Sequence, residues 1–191
     1  HFLLRRQRQM CIRDSFWVSG YGTGGTVSGV GRVLREKSPG TKIILTEPEN
    51  AALIGSELKQ DRHSDNTPAT SHSSWNPHLI QGWTPDFIPF VLQEAIDNNY
   101  FDKLLPVSGE QGITWAKRLA RAEGIITGIS GGSTFAIAME VAKDAPPDSN
   151  ILCMLPDTGE RYLSSPLFEE IPEEMTDDEK KISLSTPNYQ L

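Results

Sequence analysis

The sequence has little cysteine and no long apolar run. Of its two cysteines, Cys153 lies in the short apolar run Ile-Leu-Cys-Met-Leu and Cys11 lies near the start of the chain, so neither indicates a disulfide framework. Free thiols are typical of a reducing compartment, and we therefore expect a cytoplasmic protein. No run reaches the roughly 18 apolar residues that cross a bilayer, which argues against a membrane-spanning protein.

Basic residues are outnumbered by acidic ones. The chain has 18 lysines and arginines against 25 aspartates and glutamates, a formal net charge of −7. Nucleic-acid-binding proteins gain affinity from clustered basic residues, so this charge argues against a nucleic-acid partner. Hydrophobic residues make up 37% of the chain, which is enough for a packed core and excludes wholesale disorder. The length of 191 residues is close to that of one domain.

The two ends differ in composition from the centre. Residues 1–15 hold four arginines and one aspartate and begin with His1, and we expect them to be a non-native leader, with a transit peptide as the alternative. Residues 169–181 hold seven acidic residues and two lysines, which predicts that 169–191 form a solvated, partly helical acidic tail. The core domain would then cover residues 16–168.

Strand-like and helix-like segments alternate along this core. Strands are predicted over 16–20, 42–47, 101–107, 125–129 and 150–155, and helices over 26–37, 50–58, 108–124 and 134–143. Ser108 and Gln111 have the spacing of a capping box, and residues 59–77 are predicted to be a long polar loop. This alternation predicts an α/β fold in which helices cover both faces of an open parallel sheet.

A glycine-rich loop, GYGTGGT at residues 20–26, separates the first predicted strand from the first predicted helix. Backbone N–H groups in such a loop, with the helix N-terminus behind them, favour a bound phosphate. The same loop fits the dinucleotide pattern G-x-G-x-x-G through Gly20, Gly22 and Gly25, and Glu47 ends the next strand. The residues therefore predict a phosphate site but leave open which cofactor carries the phosphate.

Two further segments are predicted to reach the same edge of the sheet. Residues 128–133 form a second glycine-rich loop, in which the Ser130 hydroxyl either binds a ring nitrogen or caps a helix. Residues 156–162 follow the last predicted strand. A tight turn without any ligand would also explain the residue types at 157–159. In this segment we expect Arg161 and Tyr162 to be packing residues rather than catalysts.

An ordered series of motifs marks a resemblance to a known family. The series comprises GTGGT at 22–26, Glu47-Pro48, IQG to FIP over 80–89, GISGGS at 128–133 and PDTGERYLS at 156–164. Residues 16 to about 168 resemble the C-terminal half of cysteine synthases (O-acetylserine sulfhydrylases), which are fold-type II pyridoxal-phosphate enzymes. The resemblance implies the larger-domain portion of that fold.

The resemblance also implies a cofactor, substrates and partners. Pyridoxal 5′-phosphate would be bound through its phosphate by the loop and through its pyridine nitrogen by a serine, which leaves the ring unprotonated. The implied cofactor-binding residues are Gly22, Thr23, Gly24, Gly25, Thr26 and Ser130, and the implied substrate entrance is Gln81, Gly82 and Trp83. O-acetylserine and sulfide would give cysteine and acetate by β-replacement. The complete enzyme is expected to be a homodimer, and serine acetyltransferase is a candidate partner.

The family's Schiff-base lysine and substrate loop belong to the half that this sequence does not match. We therefore predict no catalytic residue in this chain, eight lysines that face solvent, and no turnover by the chain alone. Gly131 and residues 83–86 depart from the commoner family pattern, so cystathionine β-synthase and threonine dehydratase remain alternatives. A nicotinamide-binding domain and a non-catalytic scaffold that uses the acidic tail are alternatives from other classes.

Three histidines lie in or next to the long polar loop, namely His63, His72 and His78. Their loose spacing does not predict a metal site, and we expect them to be exposed.

Overall fold

The computed structural model describes residues 15–185, a range that leaves most of the predicted leader and the last residues of the acidic tail outside it. In this range the strands are β1 (Phe16–Gly20), β2 (Lys42–Pro48), β3 (Lys103–Val107) and β4 (Ile151–Cys153). The helices are α1 (Gly25–Lys37), α2 (Phe90–Asp97), α3 (Gly109–Glu123), α4 (Ile129–Asp144) and α5 (Asp177–Ser185), with a 3-10 turn at Gly159–Tyr162.

The strands form one parallel sheet in the order β3-β2-β1-β4. The chain runs outward from β1 through β2 to β3 and then crosses to the other side of β1 for β4. The direction of winding therefore reverses between β1 and β4, and open parallel sheets bind their ligands at the carboxyl ends of the strands at such a point.

Helices cover both faces of this sheet, as the sequence predicts. Alternate strand residues face opposite sides: Val18 and Ile44 pack with α3 and α4, whereas Trp17, Ile43 and Leu45 pack with α1 and α2. The two faces together form a core whose side chains are almost fully shielded from solvent. The predicted α/β class is confirmed.

The predicted capping box at the start of α3 is confirmed. The Ser108 side chain accepts a hydrogen bond from the Gln111 N–H, and the Gln111 side chain accepts one from the Ser108 N–H. Gly124 ends this helix in the left-handed conformation. Both ends follow from local sequence signals.

The helix predicted over 50–58 is wrong, because the segment forms consecutive turns. The N–H groups of Ile54 and Gly55 donate to the Glu47 carboxylate at 3.2 and 2.9 Å. Those N–H groups are thus bonded to a side chain instead of the carbonyls of a helix. A buried carboxylate outside the segment decided its conformation.

The strand predicted over 125–129 is also wrong. Thr127 makes only an isolated antiparallel bridge to Thr158, and α4 begins at Ile129. The second glycine-rich segment is therefore the start of a helix and not a loop. Helix α2 was not predicted, although Pro89 at its N-cap and the buried Leu92 and Ala95 are typical of an amphipathic helix.

The described part of the acidic tail is exposed. Helix α5 has no buried residue, which agrees with the predicted solvated, partly helical segment. Within residues 15–185, no helix is long and apolar enough to cross a membrane.

Candidate cofactor site

The candidate site lies at the carboxyl ends of β1 and β4, where the winding of the sheet reverses. The loop of residues 22–24 leads from β1 into α1. On the other side, the bridge between Thr127 and Thr158 brings the N-terminus of α4 to the segment that follows β4. Two helix N-termini therefore lie at the same edge of the sheet, an arrangement that favours a ligand with an anionic group.

Glycine is required in the loop for steric reasons. Gly24 is the N-cap of α1 with φ +90°, and a Cβ there would lie 2.5 Å from the Leu92 Cα. A Cβ on Gly22 would lie 2.5 Å from the carbonyl oxygen of Gly82. The loop is thus held against the start of α2 and against residue 82.

The chemistry of the loop fits a phosphate. The first N–H groups of a helix have no carbonyl partner within the helix, and no side chain caps the N-terminus of α1. Its first turn contains no acidic residue, while Thr23, Gly25 and Thr26 are exposed. Backbone donors, hydroxyl groups and the positive end of a helix are therefore available together to an anion.

Ser130 does not cap α4, so the capping alternative is wrong. The N-cap is Gly128, which makes no side-chain cap, and Ser130 lies inside the first turn. Ser130 is 1% exposed, and its hydroxyl lies 3.5 Å from Asp157 Oδ1, to which it donates. Tyr162 donates to the other oxygen of the same carboxylate. Burial and the contact with Asp157 raise the pKa of Tyr162 to about 12.

The small residues beside Ser130 leave no space for side chains. A Cβ on Gly131 would lie 1.9 Å from Thr127 Oγ1, and one on Gly132 would lie 2.1 Å from the carbonyl oxygen of Gly112. The departure at Gly131 from the commoner family pattern thus has a structural reason, because the Thr127 side chain occupies the space that a side chain at residue 131 would need.

The predicted substrate entrance is divided between surface and core. Gln81 and Gly82 are exposed, whereas Trp83 is 8% exposed and packs against Gly20 at the end of β1. The backbone N–H of Thr84 donates to the Tyr21 carbonyl at 2.9 Å, which fixes this segment beside the loop. The role of these residues in substrate entry stays a prediction.

Glu47 is almost fully buried and is used inside the protein. Its carboxylate accepts hydrogen bonds from the Tyr21 hydroxyl at 2.6 Å and from the two N–H groups of residues 54 and 55. Burial raises its pKa, and the bond from Tyr21 opposes that rise. A carboxylate held in this way is not free to bind a ribose hydroxyl, as the dinucleotide alternative requires.

We expect Tyr21→Phe to destabilise the chain by about 2 kcal/mol, because it removes a donor from a buried carboxylate. The change raises the pKa of Glu47 further, since the lost bond favours the charged form. The destabilisation should therefore be largest where Glu47 is ionised and should shrink as the pH falls through its pKa. Urea unfolding of the wild type and the variant between pH 5 and 8 measures how the difference in their free energies of unfolding depends on pH. Tyr100→Phe is the control, because Tyr100 packs against Gly31. If both variants showed the same pH dependence of stability, the hydrogen bond from Tyr21 to Glu47 would not be its cause.

The histidines differ from the expectation of exposure. His63 is exposed, but His72 is buried: its Nδ1 accepts from the Ser74 N–H and its Nε2 lies 3.2 Å from the Leu58 carbonyl oxygen. His78 is half-buried and its Nε2 lies 3.2 Å from the Thr84 carbonyl oxygen. His72, inside the polar loop of residues 59–77, and His78, directly after it, thus bond to backbone groups of this region.

The lysines largely follow the prediction. Seven of the eight are exposed, and Lys117 is half-buried with its Nζ 3.2 Å from Glu170 Oε2. Lys117 lies on α3 in an ion pair.

A comparison with family models decides the class of protein. A model described as "Pyridoxal-phosphate dependent enzyme" matches residues 9–157. The chain belongs to this family. The cofactor of the family is pyridoxal phosphate, so the dinucleotide alternative is wrong, in agreement with the buried position of Glu47.

Two of the curated relatives are synthases. The chain is 39% identical over 174 residues to the O-ureido-L-serine synthase of Streptomyces lavendulae, an alignment that covers 91% of this chain and 47% of the relative. It is 35% identical over 155 residues to cysteine synthase of Staphylococcus aureus, covering 81% of this chain and 43% of the relative. The chain therefore spans about half the length of these curated relatives.

Solved structures agree with this assignment. A variant of O-ureido-L-serine synthase with O-ureido-L-serine bound superposes with a TM-score of 0.73 at 39% identity, covering 92% of this chain and 48% of that one. Cysteine synthase of Entamoeba histolytica superposes with a TM-score of 0.66 at 30% identity, covering 91% and 45%. The fold is that of fold-type II pyridoxal-phosphate enzymes.

Proposed function

We propose that this chain is the cofactor-binding half of a β-replacement synthase that converts O-acetylserine and sulfide to cysteine and acetate. The observation that carries the proposal is the pair of helix N-termini, preceded by residues 22–24 and by Gly128, at the point where the sheet reverses its winding. The identity to cysteine synthase of Staphylococcus aureus supports the choice of reaction.

Each group of residues has a separate task in this proposal. The backbone and hydroxyl donors of residues 22–26 bind the phosphate of the cofactor, and Ser130 binds its ring nitrogen. The bound cofactor supplies an electron-withdrawing ring that stabilises a carbanion at the substrate. Residues 81–83 border the entrance. Without a lysine that matches the Schiff-base motif, the 191-residue chain alone does not turn over substrate.

Synthesis of O-ureido-L-serine is a second candidate reaction. It is favoured by the 39% identity to the synthase of Streptomyces lavendulae, which extends over 91% of this chain. Residues 83–86, which depart from the commoner cysteine synthase pattern, are consistent with a different second substrate. Assays of the complete protein with each pair of substrates separate the two reactions.

The proposal also includes three predictions about the complete protein: that it is a homodimer, that serine acetyltransferase is a candidate partner and that it acts in the cytoplasm. Sedimentation of the complete protein tests the first. A binding assay with purified serine acetyltransferase tests the second.

The first test of the proposal is binding of pyridoxine 5′-phosphate to the 191-residue chain by calorimetry. We expect the phosphate ester to bind at least about ten-fold more tightly than pyridoxine, because the loop recognises the phosphate. Gly25→Asp should weaken the ester by a similar factor, since it adds a negative charge to the phosphate site. A Cβ at Gly25 has only Thr23 Oγ1 within 4 Å, at 3.8 Å, so the variant should fold.

Gly29→Asp is the matched control, because it adds the same charge on α1 at a position where a Cβ has nothing within 4 Å. We expect it to change the affinity for the ester much less than Gly25→Asp does. Equal binding of pyridoxine and its phosphate ester, or equal effects of the two variants, would reject the loop as the phosphate site.

A further inference from the structure

An open apolar groove lies between helix α3 and the start of the acidic tail. It encloses a cavity of about 250 Å³, and the buried side chains of Ala116 and Leu167 line it. Ile126 and Ile171 line it as well, although their side chains are 57% and 64% exposed. Large apolar side chains that stay open beside an apolar groove are typical of a surface that binds another molecule.

The apolar surface continues from the groove into the tail. Ile171 lines the groove and also a second hollow of about 390 Å³, which is formed by residues 171–176 and part of α5. Met175 lines this hollow and is 55% exposed. The family model ends at residue 157, so the match to the family does not explain why an acidic segment carries these apolar side chains.

The two walls of the groove carry opposite charge. Lys117 and Arg121 line the wall on α3, whereas residues 169–179 on the other side hold seven acidic residues and no basic one. Lys117 Nζ lies 3.2 Å from Glu170 Oε2, so the two walls already form one ion pair within the chain. Arg121 has no ion pair within residues 15–185. Its guanidinium is therefore available to an acidic group of another molecule.

A surface with a basic side, an apolar middle and an acidic side is complementary to itself. If a two-fold axis passes through the apolar middle, the basic side of each copy meets the acidic side of the other. We propose that this face, formed by the groove and residues 169–179, is a contact between two copies of this chain. A basic partner would meet Lys117 and Arg121 with like charge, and an acidic partner would meet residues 169–179 in the same way.

This face would serve the homodimer of the proposed function, and in that respect the inference rests on the proposed function. It does not depend on the reaction, because none of the residues that form the face belongs to the predicted cofactor-binding set. Cofactor binding and self-association can therefore be measured separately on the same chain.

The experiment is sedimentation velocity of the 191-residue chain over about a hundred-fold range of concentration. We expect a monomer–dimer equilibrium whose dissociation constant rises with salt, because salt screens exposed charge pairs. Ile171→Asp should raise this constant at least about ten-fold, since it places a charge in the apolar middle of the contact. Val33→Asp is the matched control, because Val33 is an exposed apolar residue on α1, outside the face. It should leave the constant unchanged.

Charge reversal tests the pairing of the two sides. Arg121→Glu should weaken self-association, and so should a variant that carries Glu173→Lys and Glu174→Lys together, because each creates like-charge contacts in its own dimer. An equimolar mixture of the two variants should associate about as tightly as the wild type, since both contacts of the mixed dimer are attractive again. Loss of folding in either variant could not produce this rescue.

The outcomes separate this inference from the cofactor proposal. A wild-type chain that stays monomeric over the whole range overturns the inference, and so do equal effects of Ile171→Asp and Val33→Asp or a mixture without rescue. A monomeric chain that binds pyridoxine 5′-phosphate leaves the cofactor proposal intact. A chain that dimerises with the expected rescue but does not bind the ester rejects the cofactor proposal and supports the contact.

Discussion

Gly24→Ala is expected to destabilise the chain by about 3 kcal/mol and to abolish binding of the phosphate ester. The residue has φ +90°, which is strained for any residue with a Cβ, and that Cβ would lie 2.5 to 2.7 Å from the Cα, N and Cβ atoms of Leu92. Two of these are backbone atoms, so the clash is relieved only by moving α2 away from the loop. Urea unfolding measures the stability and calorimetry measures the binding.

Gly29→Ala separates this effect from a general effect of alanine on helix α1. A Cβ at Gly29 has nothing within 4 Å, and we expect a gain of about 1 kcal/mol because alanine is the better helix former. If Gly24→Ala bound the ester as tightly as the wild type, the left-handed turn would not be part of the phosphate site.

Gly132→Ala is expected to cost about 3 kcal/mol by forcing α3 and α4 apart. The new Cβ would lie 2.1 Å from the carbonyl oxygen of Gly112 and 2.7 Å from the N atom of Ala116. Both are backbone atoms of α3, so no side-chain rotation relieves the contact. Because Ser130 lies in the same first turn of α4, the shift should also weaken ester binding by at least about ten-fold.

The comparison with Gly29→Ala applies here as well, since both changes add one methyl group inside a helix. Unfolding of the two variants side by side shows whether the cost arises at the α3–α4 contact. A stability of Gly132→Ala equal to that of the wild type would mean that the two helices are not packed as closely as the structure indicates.

Local signals in the sequence were sufficient for part of the fold. The Ser108 capping box, the apolar spacing of residues 26–37 and the strand Lys42–Pro48 all depend on residues close together in the chain, and all are present. The glycine-rich loop was correctly placed between a strand and a helix for the same reason. The family resemblance then named the cofactor that the loop alone left open.

The wrong predictions depend on contacts between distant segments. Residues 50–58 read as a helix, but Glu47 bonds two of the N–H groups that a helix would use. Residues 125–129 read as a strand, but the small residues that follow let α4 start at Ile129 in close contact with Gly112. In both cases a tertiary interaction overrode the local preference.

The sequence by itself determined the α/β class, the position of the glycine-rich loop between a strand and a helix and, through its motifs, the pyridoxal-phosphate family. Only the tertiary structure decided that β4 lies beside β1 and that the Asp157 carboxylate, 27 residues after Ser130, accepts hydrogen bonds from both Ser130 and Tyr162. The physical reason is that the spacing of apolar residues and the capping of a helix are set by neighbours in the chain. Strand order and the partners of a carboxylate are set by groups that meet only after folding.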